Sequence, residues 1–289
     1  MKKKKKREVR SRLISFLFTL PSLFFFSLAL LIPFVMGLNI AFTDWNGIAK
    51  EYHYVWFDNF IKIFSDSRIV NPVKNTVVYA LLTVVFNNVV PLGLALLFTG
   101  IRGKAGNICR LVVFVPCCLS GVLSAFVWKF IYRFVLSALT GLSSPLGSTF
   151  WVLPGIMLIA LWNGCGINML IYYAALKNVP SDLYEAALID GAGRLQLFRN
   201  VTIPMIMPAF TICVTLGFTN GLKEFGMVMS ATGGGPARTS ETISMYIYNN
   251  LYTYSKAGYG QAISLVFLLV LVVTGNLMTG FFRKREVDM

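Results

Sequence analysis

The chain has 289 residues, of which 56% are hydrophobic and only 13% are charged. Soluble domains carry roughly 25% charged residues, so this composition excludes an ordinary globular protein and predicts a membrane protein. Half of the formal net charge of +14 falls in residues 1–12, where eight Lys and Arg accompany a single Glu directly before an apolar run. Such a basic tail indicates orientation in a membrane and contact with anionic lipid, and it argues against nucleic-acid binding.

Six predominantly apolar runs are long enough to cross a bilayer, which requires about 20 such residues. The first run is too long for the apolar region of a signal peptide, so we predict that it remains as a span. Lys129 and Arg133 interrupt the end of the third run, and the turn-rich stretch at 137–149 is predicted to be a loop. The predicted spans lie near residues 14–42, 75–99, 108–128, 151–176, 204–222 and 261–282.

These runs predict an all-α polytopic membrane protein with six transmembrane helices. We expect a six-span domain at 13–282, between a basic tail at 1–12 and a short tail at 283–289. An even number of spans puts both termini on one side, and the segments on that side carry 17 of the 26 Lys and Arg residues. The positive-inside rule therefore predicts that both termini and the loop at 177–203 are cytoplasmic.

The most polar internal segment, residues 180–204, predicts a short helix, a glycine elbow and a second helix. Ser181 is expected to cap the first helix by accepting a hydrogen bond from a free N–H group. Gly191 and Gly193 are expected to end that helix, because glycine readily takes the left-handed conformation of a helix stop. A polar helical elbow between two hydrophobic spans has to lie outside the bilayer.

This segment carries a motif with a defined spacing. Glu185-Ala186-Ala187 is followed by Gly191 and then by Val201-Thr202-Ile203-Pro204. The pattern resembles the EAA loop of ABC importer permeases, with Val and Ile in place of the usual Ile and Leu before the closing Pro. In that family the loop, here 177–204, forms a coupling helix that docks in a cleft of the ATPase subunit. The resemblance implies that the ATPase-coupling residues are Glu185, Ala186, Ala187, Asp190, Gly191 and Pro204.

Other stretches resemble, more narrowly, the permeases of carbohydrate importers, and the MalF-like half of the pair in particular. The resemblance implies a second homologous permease, two ABC ATPase subunits and an extracellular solute-binding protein, with no cofactor. It also implies a multi-pass protein of the bacterial plasma membrane. No lysine precedes a Ser or Thr, so the chain lacks a P-loop of its own. The stretches are Thr43–Gly47, Phe57–Phe60, Asn75-Thr76, the glycine run Thr232–Pro236, and Gly258–Ala262.

Polar residues inside the predicted spans require an explanation, because they are costly in lipid and tend to face a wet cavity or the bundle. Neutral amides suit the hydroxyl groups of a sugar, whereas interhelical hydrogen bonds, worth about 0.6 kcal/mol, explain any one asparagine equally well. The Trp162 ring likewise has two interpretations: it stacks on a sugar ring, or it packs at the lipid interface or against other helices. The predicted substrate-pathway residues are Asn163, Gly164, Asn168, Asn220, Lys223 and Glu224.

The remaining features favour packing roles and no enzymatic chemistry. The five cysteines form no Cys-x-x-Cys pair, His53 has no second ligand beside it, and no catalytic set or metal spacing is present. Gly217 and Gly221 form a Gly-x-x-x-Gly that would suit a contact between two permease subunits. The alternative function is an ion-gradient-driven carrier or channel, for which Lys223 and Glu224 are the candidate ionisable pair.

Overall fold

The computed structural model describes residues 16–101 and 103–285. The basic tail predicted at 1–12 and residues 286–289 of the second tail lie outside the described residues. Within the described ranges the regular structure is helical, apart from one isolated β-bridge between Thr43 and Tyr54. The predicted all-α class is therefore confirmed.

Twelve helices follow one another along the described residues, besides two 3₁₀ turns at Val115–Cys118 and Pro145–Gly147 and a π turn at Asn249–Thr253. The helices are α1 (Phe16–Ile40), α2 (Asp58–Ser65), α3 (Ser67–Gly100), α4 (Gly103–Phe114), α5 (Gly121–Thr140), α6 (Val152–Lys177), α7 (Ser181–Ile189), α8 (Arg194–Met205), α9 (Met207–Leu222), α10 (Gly226–Thr232), α11 (Ile243–Tyr248) and α12 (Ala257–Arg283). Five of them, α1, α3, α5, α6 and α12, are long and apolar enough to cross a membrane, and α8 and α9, bent by 70°, form a sixth span when the pair is taken as one. The six-span prediction is confirmed on that basis.

The third predicted span was wrong at both ends. The run 108–128 is interrupted by a 3₁₀ turn at Val115–Cys118, because Pro116 has no N–H to donate to the preceding helical turn. Ser120 then starts a new helix by accepting the Leu123 N–H at 3.2 Å. That helix, α5, continues to Thr140 through the residues predicted as the start of a loop, and Gly141, with φ of +69°, ends it.

The described chain divides into two compact units, of which one holds residues up to 65 together with 247–266. In this unit the side-chain amide of Asn59 donates to the carbonyls of Ala41 and Thr43, at 2.9 and 2.8 Å. Gly258 lies so close that a Cβ placed on it would be 1.9 Å from the Thr43 carbonyl oxygen. The segment after α1 is thus fixed against the first turn of α12, and glycine is required at 258.

The aromatic residues after α1 pack largely against one another. Phe42 contacts Phe57 and Phe60, with ring centroids 5.6 and 5.2 Å apart. A second series begins at Trp45 and continues ring to ring through residues 52, 54 and 56 at spacings of 6.1–6.5 Å. This arrangement forms a small aromatic cap, as an aromatic-rich loop beside a span end would suggest.

The other unit comprises the described residues of 66–246 and 267–285, and α6 lies at the centre of its packing. Ile156 and Ile159 on α6 are fully buried in one cluster, which includes Tyr79 of α3. Met169 and Tyr172, further along α6, are buried in a second cluster with residues of α3 and α9. The helix that precedes the polar loop and the bent span that follows it therefore share one core.

The glycine run after α10 forms a fixed loop on the end of α3. Gly233 takes the left-handed conformation that ends α10. The side-chain amide of Asn75 donates to the carbonyls of Arg238 and Glu241, at 3.3 and 3.1 Å. Arg238 also forms an ion pair with the buried carboxylate of Glu241, at 2.6 Å. These contacts make the run a structural loop between spans.

Candidate functional site

The first part of the site is α7, which begins directly after Pro180. Ser181 is its first helical residue, and its hydroxyl donates to the Asp182 carboxylate at 3.3 Å instead of capping the backbone. The expectation that Ser181 caps the helix was therefore wrong. Pro180, in an extended conformation, precedes the first turn, and Asp182 lies in that turn, where the helix dipole stabilises a negative charge.

The elbow after α7 depends on Gly191. Its φ is +79°, and the neighbouring N–H of Ala192 donates back to the Ala187 carbonyl at 2.9 Å, as in a left-handed helix stop. Gly193 differs, because its backbone is extended and precedes α8, where its N–H donates to the Gln196 side chain at 2.8 Å. The prediction for Gly191 is confirmed, and the prediction that Gly193 also ends α7 was wrong.

None of the nine side chains of α7 is fully buried. Glu185, Ala186 and Asp190 are exposed and Ala187 is half-buried. The exposed side chains include the apolar Leu188 and Ile189, which are 57% and 86% exposed. Leu188 and Ile189 are adjacent in the chain, so they leave apolar surface on this loop available for contact with another molecule.

The bend between α8 and α9 has a local cause in the sequence. A π-helical turn at Phe198–Thr202 is followed by Pro204, and Pro208 stands at the start of α9. Each proline removes one helical N–H donor, so the chain breaks at Ile206, and the axes meet at 70°. Pro204, the last residue of the motif, thus lies at the bend, away from α7 along the chain.

The second part of the site lies on α6, where Asn163 has a packing role. Its side-chain amide N lies 3.1 Å from the Pro116 carbonyl, 3.0 Å from the Leu119 carbonyl and 3.0 Å from the Ser124 hydroxyl. It holds the break between α4 and α5 against α6. This geometry supports the interhelical interpretation for Asn163.

Asn168 and Gly164 meet α3 at Asn87. The Asn168 amide donates to the Asn87 carbonyl at 2.8 Å, and the Asn87 amide nitrogen lies 3.9 Å from where a Cβ of Gly164 would stand. The structure therefore brings two of the predicted pathway residues together with an asparagine of α3. Trp162 packs edge-on against Trp128 at 5.9 Å, which accounts for its ring by packing.

The other three predicted pathway residues lie at the end of α9. Asn220 and Lys223 are exposed. Glu224 is half-buried, and its carboxylate accepts the Met227 N–H at 2.8 Å, which caps α10. Burial raises the pKa of the Glu224 carboxyl, and the backbone N–H groups that it accepts act in the opposite direction. Glu224 thus has a structural partner, whereas the side chains of Asn220 and Lys223 are open.

Four buried polar atoms in the described residues have no hydrogen-bond partner. Two of them, Thr83 Oγ1 and Asn87 Oδ1, are one turn apart on α3, and both side chains are over nine-tenths buried. Unpaired polar groups in a span are costly, so they indicate a polar ligand, water or a partner at that place. The spacing of four between Thr83 and Asn87 in an apolar run could have identified them. The others are Trp128 Nε1 and Thr215 Oγ1.

Six candidate spans, a largely exposed short helix on the loop before the bent span, and polar groups within the spans are features of the membrane subunit of a transporter. Residues 1–287 match the family described as "Binding-protein-dependent transport system inner membrane component". The chain belongs to that family. It is an ABC transporter permease, a non-catalytic membrane subunit, as its EAA-type motif predicted.

Curated relatives and solved structures agree with this assignment. The chain is 32% identical to the "Probable starch degradation products transport system permease protein AmyD" of Thermoanaerobacterium thermosulfurigenes, over 99% of both chains. It is 28% identical to the "Trehalose/maltose transport system permease protein MalF" of Thermococcus litoralis, over 96% of this chain and 97% of that one.

The fold resembles a chain of a bacterial ABC transporter involved in the import of the acidic polysaccharide alginate. The TM-score is 0.83 at 22% identity, covering 97% of this chain and 99% of that chain. A second structure, of the alginate transporter in complex with an alginate pentasaccharide-bound periplasmic protein, gives 0.81 at 23% identity, covering 96% of both chains. The chain therefore has the fold of ABC importer permeases.

Proposed function

We propose that this permease imports a carbohydrate or a closely related solute, and that α7 is the helix through which ATP hydrolysis by partner subunits drives it. Two ABC ATPase subunits, a second homologous permease and an extracellular solute-binding protein complete the assembly in this proposal. The observation that carries it is that α7 buries none of its nine side chains and leaves the apolar Leu188 and Ile189 largely exposed.

The ATPase is the partner that fits this helix. Full burial of a Leu or Ile side chain contributes roughly 1.5–3 kcal/mol, so covering Leu188 and Ile189 would stabilise a protein–protein contact appreciably. Glu185 adds a charge for pairing with a basic group, and Ala186 and Ala187 leave room for close approach. Asp190 and Gly191 complete the elbow. In the proposed orientation both termini and residues 177–204 are cytoplasmic, where ATP is available, within a permease domain at 13–282.

The solute class is proposed from relatives and from the polar groups of the spans. The names of the two curated relatives refer to starch degradation products and to trehalose and maltose. Neutral donors and acceptors, such as the unpaired Asn87 Oδ1 and the exposed Asn220 amide, suit sugar hydroxyls. In this proposal Gly164 and Asn168 position Asn87, and Lys223 lies at the end of the pathway.

The proposal is tested by uptake in cells that lack the chromosomal copy of this chain and carry a tagged one. We expect uptake of at least one labelled sugar from a panel of maltose, trehalose and diacetylchitobiose. Asn87→Leu should lower that uptake about tenfold or more, since roughly 1.4 kcal/mol of lost binding is tenfold in affinity. The ATPase subunits should still co-purify with the tagged Asn87→Leu permease, because α7 is unchanged.

The alternative, an ion-gradient-driven carrier, is separated by the energy source. Depletion of ATP with the ion gradients intact should abolish uptake, whereas a protonophore with ATP maintained should leave most of it. Uptake that survives the first treatment and fails in the second would overturn ATP coupling. Uptake of none of the sugars, with a functional uptake of another solute class, would overturn the carbohydrate assignment alone.

A further inference from the structure

We propose that the hydroxyl of Tyr184 is a positioning group that joins α7 to the bent span through Thr202. This inference rests on the proposed function, since it specifies how a displacement of α7 would reach the membrane helices. The Tyr184 and Thr202 hydroxyl oxygens are 3.1 Å apart. Tyr184 is the residue directly before Glu185, so it belongs to the same turn as the proposed contact with the ATPase.

The direction of this hydrogen bond follows from the number of protons available. The Thr202 hydroxyl lies 3.4 Å from the carbonyl oxygen of Leu197, to which it donates its single proton. Its oxygen then accepts from Tyr184, so Tyr184 donates to Thr202 and Thr202 donates to Leu197. This chain of three groups connects α7 with both ends of the π-helical turn.

Thr202 is well placed to pass on a displacement. Its side chain is buried, at 5% exposure, and it is the last residue of the π turn Phe198–Thr202. Its carbonyl accepts the N–H of Ile206, at 3.1 Å, directly at the 70° bend. π-Helical turns inside longer helices frequently accompany functional sites, because they introduce a local adjustable irregularity.

Beyond the bend, the span is fixed in the core. Ile206 and Ala209 are buried in one cluster with Met169 and Tyr172 of α6. A rotation transmitted at Thr202 therefore acts on a rigid helix that packs against the neighbouring spans. By contrast, α7 buries no side chain of its own, so a specific polar contact is what can hold it in register with this span.

The test uses the assembled transporter, reconstituted with its ATPases, second permease and binding protein in proteoliposomes, and the sugar with the largest uptake in the panel above. Tyr184→Phe removes only the hydroxyl, and Thr202→Val removes the acceptor at nearly constant shape. We expect each variant to raise the number of ATP molecules hydrolysed per sugar imported by about fivefold, the effect of losing one hydrogen bond. ATP hydrolysis should continue in both.

Two further variants separate a positioning role from a structural one. Thr202→Ser keeps the hydroxyl and should keep the wild-type ratio. The double variant Tyr184→Phe/Thr202→Val should be no worse than the poorer single variant, because the same interaction is lost only once. An unchanged ratio in Tyr184→Phe, additive losses, or a loss of uptake that only follows a lower amount of assembled complex would each overturn the inference.

Failure of this inference is distinguishable from failure of the coupling role of α7. If Gly191→Val abolishes uptake while Tyr184→Phe keeps the wild-type ratio, α7 couples by another contact and only the role of Tyr184 is rejected. If Gly191→Val also leaves uptake and ATPase attachment unchanged, the coupling role itself is rejected.

Discussion

Replacing Gly191 with Val is expected to reduce ATP-driven uptake by at least about tenfold, because the elbow after α7 cannot keep its shape. The φ of +79° at this position is left-handed, which costs an ordinary L-residue roughly 1–2 kcal/mol and a β-branched residue more. A Cβ at 191 would meet no atom within 4 Å, so the penalty comes from the backbone and not from a clash. Uptake of labelled sugar, with co-purification of the ATPase subunits, measures the effect.

Two control variants isolate the backbone effect. Gly191→Asn introduces a side chain but tolerates the left-handed region, and it should retain most of the uptake. Gly193→Val puts the same side chain two residues further on, where φ is −76° and the backbone is extended, and it should be close to wild type. Equal uptake by Gly191→Val and Gly193→Val would contradict the role of the elbow.

The contrast between these two glycines illustrates what the sequence could predict. Both were expected to end α7, since glycine is common at helix stops, and only one of them does so. The end of α7 is fixed by the hydrogen bond from the Ala192 N–H to the Ala187 carbonyl. Which carbonyl this N–H can reach depends on the residue at which α7 begins. Residue preferences predicted that Ser181 caps α7, whereas Pro180 precedes the helix and Ser181 is its first residue. The preferences therefore could not give the exact residue at which α7 begins.

The spans were predictable in number but not in every boundary. Runs of apolar residues identify α1, α3, α6 and α12 directly, since lipid requires about 20 of them. The break after α4 was missed because the apolar run continues through Pro116 to residue 128, whereas in the structure Ser120 caps a new helix. Composition does not distinguish a kink from a break; the hydrogen bonds on both sides do.

The polar residues of the spans were identified, but their partners could not be. Asn163 and Asn168 look alike in the sequence, yet one fixes the α4–α5 break and the other joins α3. Asn87 was one of several asparagines in the predicted spans, and only its surroundings showed that its Oδ1 is buried and unpaired. Such contacts are between residues distant in the chain, which a single sequence does not specify.

Replacing Gly221 with Leu is expected to cause the largest loss of folded permease among single substitutions in α9. A Cβ at 221 would stand 2.9 Å from the Ala80 Cα, a backbone atom of α3 that cannot move without shifting the whole helix. Overpacking of this kind typically costs about 1–3 kcal/mol. The amount of monodisperse permease in detergent and its thermal midpoint should both fall, and uptake should fall with them.

Gly217→Leu is the matched control, because it makes the same substitution one turn earlier on the same helix. No atom of this chain lies within 4 Å of a Cβ at 217, so the isolated subunit should be as stable as the wild type. The Gly-x-x-x-Gly of α9 is thus divided, with Gly221 contacting α3 of its own chain and Gly217 left open. If Gly217→Leu weakens co-purification of the second permease without lowering the thermal midpoint, the predicted contact between permease subunits involves Gly217. Equal destabilisation by both substitutions would contradict the packing of Gly221 against Ala80 as the cause.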